Sequence, residues 1–231
     1  GVFANVTINQ LIYELDSIKN IFIHPAMGDS GLALGNAVLT YNQLHNDLTE
    51  KQFQFNNTFL GPNYSKDLKD FISTFQFDNI SLKKMKTPSF HIAKLLNENK
   101  IIGLWNGALE WGPRALGNRS IILNTFDKKV NDTLNKRLNR TEFMPFAPVV
   151  LDYLAREYFP KYNPDVPAAD YMTMTYDTNP KYHKMLQATV LVDGTARPQI
   201  AYKNTSPFYY SILEEFYKIS GCGALVNTSF N

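Results

Sequence analysis

The sequence predicts an α/β fold in which helices flank a twisted sheet of mixed strand direction. From Lys100 onward, short apolar runs of strand length alternate with segments whose apolar residues recur at helical spacing. Hydrophobic residues make up 44% of the 231 residues and charged residues 19%, which is ordinary for a globular domain. No internal repeat is visible in the sequence, which argues against a solenoid or a propeller.

The first part of the chain is predicted to contain a strand, a turn and a helix. An apolar run at residues 21–24 predicts the strand, and a glycine-containing turn then leads into a helix from Gly31 to about Leu44. Residues 49–63 are polar, rich in Gln and Asn, and closed by Gly61-Pro62, which is typical of a connector. We therefore expect a domain boundary in this segment.

Beyond the connector, helices and strands are predicted in alternation. Ser65 can cap a helix that extends to residue 75, and Ser89 can cap a second helix that extends to Leu96. Further helices are expected over residues 130–138 and 207–219, the latter with Pro207 in its first turn. Strands are expected at residues 101–105, 120–123, 147–151, 171–176, 188–192 and 224–227.

Composition argues against several classes of function. A net charge of +2 is too small to indicate nucleic-acid binding by charge alone. No apolar run approaches the roughly 18 to 20 residues of a membrane span. The chain starts at Gly1 without a basic and then apolar leader, so we expect a trimmed piece of a cytoplasmic protein. Cys222 is the single cysteine and is expected to be a buried thiol.

The loop E-W-G-P-R-A-L-G-N-R-S at residues 110–120 is the densest motif. Glycines let the backbone approach a ligand, and the guanidinium groups of Arg114 and Arg119 match phosphate or carboxylate oxygens. These two arginines are therefore phosphate candidates. From composition alone, however, a surface loop whose arginines pair with Glu110 and nearby acids is the preferred interpretation.

Three further motifs are ambiguous when each is taken alone. Lys136 and Arg140 lie at a predicted helix end, where cations are favourable in any case. The string D-G-T-A-R-P at residues 193–198 predicts a tight turn in which Asp and Thr satisfy local backbone groups. The string N-T-S-F-N at residues 227–231 ends a strand with donors and acceptors that suit either a ligand or a helix start.

Asp29 is a possible metal ligand near the front of the chain. It follows Gly28 just before a predicted helix, a position that is also typical of an N-cap. A single carboxylate without clustered histidines makes a poor metal site, and His24 and His45 lack ligand spacing to Asp29.

Taken in order, these motifs resemble the carbamoyltransferase family that includes nodulation-type and aminoglycoside O-carbamoyltransferases. The matching strings are L-G-P with Y-S at residues 60–65, the loop at 110–120, P-F-A-P at 145–148, and residues 192–199 and 226–231. The resemblance implies that residues 61–231 form a YrdC-like domain, which makes carbamoyl adenylate from carbamoyl phosphate and ATP. It also implies that residues 1–60 are the last part of an actin-like ATPase-fold domain, which transfers the carbamoyl group, plus a connector.

The same resemblance assigns roles to individual residues. It implies catalytic roles for Arg114, Arg119, Lys136 and Arg197, and substrate or nucleotide binding by Ser120, Arg140, Asn227, Thr228 and Ser229. ATP and Mg²⁺ are the implied cofactors. Asp29 matches a metal-ligand position of the transfer domain, so iron or another divalent metal is expected only in the complete protein. Met144 departs from the family pattern, because many members have Arg there.

The resemblance thus implies an enzyme, an ATP-dependent O-carbamoyltransferase, of which this chain performs the adenylation part. Its expected partners are carbamoyl phosphate, ATP and a hydroxyl-bearing small-molecule acceptor, with neither a membrane nor nucleic acid among them. Two alternatives stay open. One is a noncatalytic nucleotide-binding module, which Met144 favours; the other is a YrdC-like domain that acts in tRNA modification or binds RNA.

Overall fold

The computed structural model describes residues 1–45, 55–76, 78–138 and 146–230. Seven α-helices lie in these ranges: α1 (Val6–Tyr13), α2 (Leu32–His45), α3 (Leu68–Thr74), α4 (Pro88–Asn97), α5 (Lys129–Arg137), α6 (Ala155–Tyr158) and α7 (Pro207–Ser220). Seven strands lie in the same ranges: β1 (Ile102–Trp105), β2 (Arg119–Leu123), β3 (Ala147–Leu151), β4 (Tyr176–Asp177), β5 (Thr195–Ala196), β6 (Gln199–Ala201) and β7 (Ala224–Ser229).

The main sheet has five strands in the order β1-β2-β7-β3-β6. Strands β3 and β6 are parallel, whereas the other neighbours in this sheet are antiparallel, so the predicted mixed α/β fold is confirmed. Strand β3 is buried over its whole length, which explains why it appears in the sequence as a continuous apolar run. Strands β4 and β5 form a separate antiparallel pair.

Helices α4 and α7 pack against each other and contact the strands of the main sheet. Leu96 of α4 and Phe216 of α7 are fully buried in the resulting core. Helix α7 starts with Pro207 in its first turn and ends at Gly221, whose φ of 73° is left-handed and favours glycine. The helix predicted over residues 207–219 is therefore confirmed, with a glycine C-cap in addition.

Most of the predicted elements that build the main sheet are present, and three predicted strands are wrong. Residues 21–24 form no strand, and residues 188–192 are turns and irregular backbone. Residues 167–171 form a 3₁₀-helix, and Met172 then turns the chain with a φ of 56°, so strand structure starts only at Tyr176. Short apolar runs in turns and irregular backbone can have the same composition as strands, which is why the apolar pattern failed here.

The two predicted serine caps are also wrong. Helix α3 follows Asp67 rather than Ser65, and no side chain caps it. Helix α4 starts at Pro88 after Thr87, and the Ser89 hydroxyl instead bonds the Ser211 hydroxyl of α7 at 2.6 Å. Ser89 thus links the two helices.

The front of the chain is docked onto the sheet domain. Asn9 is completely buried, and its amide donates to the carbonyl oxygen of Thr173 at 2.7 Å and to that of Phe3 at 2.8 Å. Lys161 forms ion pairs with Glu14 and Asp177 at 2.8 and 2.9 Å. The helix predicted from Gly31 is confirmed as α2. Within the described ranges, the structure contains no candidate membrane-spanning helix.

Candidate active site

A cavity of about 580 Å³ lies where several separate parts of the chain meet. Its walls come from the 113–115 loop, from the ends of β3 and β7, from the segment after β5, and from residues 4–7 at the front of the chain. Five predicted site residues line it, namely Arg114, Arg197, Asn227, Thr228 and Ser229. Residues of the 110–120 loop, the 193–198 string and the 227–231 string are therefore brought together at one cavity.

The charge of the cavity suits an anion. Arg114 and Arg197 both contribute to its lining, and none of the lining residues that the structure describes is Asp or Glu. The lining also includes Thr7 and Thr228, whose side chains carry hydroxyl groups. Guanidinium groups together with neutral hydroxyls form an environment that binds phosphate oxygens.

Glu110 holds the loop that carries Arg114, a role that sequence analysis missed. One carboxylate oxygen, Oε1, accepts backbone N–H donors from Leu116 at 3.0 Å, Asn118 at 2.7 Å and Arg119 at 3.0 Å. The neighbouring N–H of Gly117 donates to the Ser120 hydroxyl at 2.9 Å. The amides of residues 116–119 are thus used within the loop and are not open to a ligand.

The side-chain amides of Asn227 and Gln199 bind backbone carbonyl groups of the same loop. The Asn227 side chain donates to the carbonyl of Ala115 at 2.9 Å and to Oε1 of Gln199 at 2.8 Å. Gln199 in turn donates to the carbonyl of Leu116 at 2.8 Å. Strands β6 and β7 therefore hold the backbone next to Arg114, and Asn227 combines this contact with a place in the cavity wall.

Arg119 lies outside the cavity lining and acts on the loop backbone. Its guanidinium group donates to the carbonyls of Asn106 and Asn118 at 2.8 Å and to that of Gly107 at 3.1 Å. It also lies 4.9 Å from the centre of the Trp105 ring. Arg119 therefore connects the backbone that follows β1 to the 110–120 loop through hydrogen bonds. Among the described residues, Arg119 and Glu110 form no ion pair.

The remaining predicted residues are more dispersed. Ser120 is fully buried in β2, where it lies opposite Ser229 of the neighbouring strand β7. Lys136 is exposed near the end of α5. Arg140 and Met144 lie outside the described residues. The turn predicted at residues 193–198 is confirmed, since the Asp193 carboxylate accepts both the N–H and the hydroxyl of Thr195, at 3.0 and 2.8 Å.

The contribution of residues 4–7 to the cavity was not predicted. Asn5 caps α1 by accepting the N–H groups of Thr7 and Ile8 at 3.2 and 3.1 Å. The first turn of this helix therefore faces the cavity, although the resemblance places residues 1–60 with a different domain. The Asn-Val-Thr-Ile string is a local cap signal, but nothing local indicates its distant packing partner.

The residues around Asp29 do not by themselves form a metal site. Asp29 is exposed at the start of a 3₁₀ turn, and the described part of the chain contains no group of three or more His, Cys, Asp or Glu side chains placed to hold a metal. Cys222 is a buried thiol, as predicted, and burial raises its pKa. Neither residue offers chemistry at the cavity.

The fold defines the class of protein as a mixed α/β domain, and two arginines belong to the lining of its large cavity. A family model described as the carbamoyltransferase C-terminus matches residues 93–231. Because this match covers more than half of the 231 residues, the chain belongs to the carbamoyltransferase C-terminus family.

Relatives align with the chain along its whole length. An uncharacterized protein of Methanocaldococcus jannaschii is 34% identical over 236 residues, and the alignment covers 100% of this chain and 38% of that protein. Nodulation protein NolNO of Sinorhizobium fredii is 31% identical over 235 residues, which cover 100% of this chain and 34% of the relative. The chain therefore spans between a third and two fifths of the length of these relatives.

Proposed function

We propose that this chain is the adenylate-forming part of an ATP-dependent O-carbamoyltransferase. The observation that carries the proposal is the joint placement of Arg114, Arg197 and the 227–229 strand end around one cavity without lining carboxylates among the described residues. Its volume of about 580 Å³ falls in the range of pockets that bind small molecules and cofactors. The proposal assigns residues 61–231 to a YrdC-like domain and residues 1–60 to the end of an actin-like transfer domain with its connector.

The proposed reaction has two steps. Water cleaves carbamoyl phosphate to carbamate and phosphate. A carbamate oxygen then attacks the α-phosphorus of ATP, the bond from that phosphorus to the bridging oxygen breaks, and pyrophosphate leaves. Negative charge develops on phosphoryl oxygens, and Arg114 and Arg197 are the groups positioned to stabilise it. No protein nucleophile is needed.

The other predicted residues take supporting roles in this proposal. Asn227, Thr228 and Ser229 orient the substrates by hydrogen bonds from the end of β7. Arg119 and Ser120 act as positioning residues through the loop backbone, since both bond to the loop rather than line the cavity. Lys136 and Arg140 precede Phe146, a cavity-lining residue, and are proposed as further phosphate-binding cations.

Mg²⁺ enters the proposal together with ATP. When bound, it would neutralise phosphate charge, as it does in other nucleotide-dependent enzymes. Because no carboxylate is found among the described lining residues, the phosphate oxygens are its expected ligands. The iron or other divalent metal proposed for the complete protein would need ligands in addition to Asp29. A cytoplasmic location follows from the proposed use of ATP.

The proposal is tested by measuring pyrophosphate release from ATP with and without carbamoyl phosphate. Release that depends on carbamoyl phosphate is the expected result. ATP binding without such release would favour the noncatalytic nucleotide-binding alternative and would refute the proposed reaction.

A further inference from the structure

Arg197 lies in a short link between the main sheet and the small sheet formed by β4 and β5. Arg197 and Pro198 connect β5 to β6 of the main sheet. Strand β6 is held by its pairing with β3, whereas β5 forms a ladder with β4 in which each strand has two residues. An isolated pair of short strands is only marginally stable, so the position of Arg197 also depends on contacts that hold the turn before β5.

Thr178 holds this turn with both its backbone and its side chain. It follows β4 directly, and its N–H and its hydroxyl both donate to the carbonyl oxygen of Gly194, at 3.1 and 2.5 Å. Gly194 immediately precedes β5 in the sequence. The backbone bond extends the β4–β5 ladder by one residue pair, and the hydroxyl adds a second donor to the same acceptor. Thr178 is 5% exposed, so its side chain is shielded from most of the solvent.

His183 fixes the orientation of the Thr178 hydroxyl. Its Nε2 lies 2.6 Å from the hydroxyl oxygen. A carbonyl oxygen can only accept, so the hydroxyl proton points to Gly194, and the bond between the ring and the hydroxyl takes its proton from Nε2. The hydroxyl thus accepts from His183 and donates to Gly194, which leaves it one favourable rotation.

Further hydrogen bonds shape the turn from within. The Thr195 carbonyl accepts the N–H of Leu191 at 2.7 Å, and the Leu191 carbonyl accepts the N–H of Gly194 at 3.1 Å. The Asp193 carboxylate accepts the N–H and the hydroxyl of Thr195. These bonds set the shape of the turn. Thr178 comes from outside the turn and sets where the turn lies against β4.

We propose that Thr178, oriented by His183, is a positioning residue that holds Arg197 for contact with a phosphate group of ATP. This inference rests on the proposed function, which supplies the nucleotide as the ligand. Neither Thr178 nor His183 belongs to the described lining of the large cavity, so both act through the backbone of the turn. A displacement of about 1 Å at an active site can lower a rate on the order of a hundredfold, so a contact outside the cavity can affect the reaction.

Valine at position 178 isolates the contribution of the hydroxyl. T178V keeps the shape of the side chain and the N–H that donates to Gly194, but it removes the hydroxyl bond. We expect the Kd for ATP to rise about fivefold, the scale of one net hydrogen bond. T178S, which keeps a hydroxyl, should bind ATP like the unaltered chain. H183F removes the donor to this hydroxyl and should also raise the Kd, which provides a second variant if T178V does not fold.

T125V is the matched control for a general loss of stability. Thr125 is fully buried and lies outside the described cavity lining, and its hydroxyl donates to the carbonyl of Met185 at 2.7 Å. T125V should therefore unfold at lower urea concentration than the unaltered chain but keep the same Kd for ATP. An equal rise in Kd in T125V and T178V would mean that lost stability controls binding, and it would overturn the proposal.

The deciding experiment is a double-mutant cycle with R197A, in which ATP binding is measured by isothermal titration calorimetry. If Thr178 acts through Arg197, T178V should change the Kd less than about twofold in the R197A background, against about fivefold in the unaltered chain. The same fold-change in both backgrounds would overturn the proposal. An R197A chain that binds ATP as tightly as the unaltered chain would overturn it as well.

The cycle separates this inference from the proposed reaction, because it measures binding and needs no turnover. ATP binding that depends on Arg197, with the expected cycle but without carbamoyl-phosphate-dependent release of pyrophosphate, would refute the reaction and support the positioning role. Pyrophosphate release together with independent effects of T178V and R197A on the Kd would support the reaction and refute the positioning role.

Discussion

At the scale of single residues, the molecule separates two groups of arginines that look alike in the sequence. Arg114 and Arg197 line the large cavity, whereas Arg119 donates its hydrogen bonds to backbone carbonyls of the loop. A guanidinium group that contacts a phosphate oxygen stabilises developing charge directly. A guanidinium group that contacts backbone carbonyls affects the reaction only by positioning the loop. The two groups should therefore differ in their kinetic effects.

Replacing Arg197 with alanine should reduce the rate of carbamoyl-phosphate-dependent pyrophosphate release by at least about tenfold, the scale of one lost charge-assisted contact. R156A is the matched control, because Arg156 is an exposed arginine of α6 outside the cavity lining. The measurement is initial rate at saturating ATP. An R197A rate equal to that of R156A would remove Arg197 from the site.

Glu110 should act as a positioning residue. E110A leaves three loop N–H groups without their acceptor and should lower the free energy of unfolding by about 1 to 3 kcal/mol. Because the loop carries Arg114, E110A should also raise the KM for ATP, and E110Q, which keeps an acceptor oxygen, should recover part of both losses.

The control for Glu110 is E98Q, at an exposed position after α4. Urea unfolding and steady-state kinetics on the same samples separate stability from ATP binding. A loss of stability in E110A with an unchanged KM would mean that Glu110 supports the fold alone.

At the scale of elements, the sequence predicted the parts whose signals are local. Strand β3 is a continuous apolar run because it is buried between two neighbours, and α7 carries a proline start. The runs at residues 171–176 and 188–192 also contain many apolar residues, but they lie mainly in turns and irregular backbone. Composition alone cannot separate these cases, because it does not report the backbone hydrogen-bond pattern.

The site could be predicted only in part, for a related reason. The resemblance grouped Arg114, Arg197 and the 227–229 string without any structural information. It did not indicate that Gln199 would hold Leu116, because these residues are 83 positions apart and neither is unusual in its local sequence. The contribution of residues 4–7 to the cavity wall was missed for the same reason. Long-range packing partners leave no local pattern.

Two glycines in different elements should respond in opposite directions to alanine. Gly117 has a φ of 112°, and a Cβ there would lie 2.3 Å from Cδ1 of Tyr209, so G117A should destabilise by several kcal/mol, on the order of other overpacked and strained sites. Gly35 lies within α2 with nothing within 4 Å of its Cβ position, so G35A should stabilise by about 0.5 to 1 kcal/mol.

Chemical denaturation of both variants measures this pair. Because Tyr209 is fully buried in α7, the loss in G117A reports how tightly the active-site loop packs on that helix. Tolerance of G117A, with stability equal to that of the unaltered chain, would contradict the described packing.

At the scale of the whole molecule, the front segment and the sheet domain together form the wall of the large cavity. The residues proposed to bind phosphate all lie in the sheet domain or, in the sequence, shortly before β3. The front segment docks through Asn9 and contributes residues 4–7 to the cavity wall. The alignments with longer relatives cover between a third and two fifths of the length of those relatives. We expect adenylate formation and carbamoyl transfer to separate in this chain.

The most direct test measures pyrophosphate release and acceptor carbamoylation side by side, with this chain, ATP, Mg²⁺, carbamoyl phosphate and a hydroxylated acceptor. We predict pyrophosphate without carbamoylated product, because an acceptor that is not positioned loses the several kcal/mol that orientation supplies, and released adenylate then hydrolyses. Absence of carbamoyl-phosphate-dependent pyrophosphate from folded protein would contradict the central claim that this cavity forms carbamoyl adenylate. Efficient transfer to the acceptor would contradict the proposed division between the two domains.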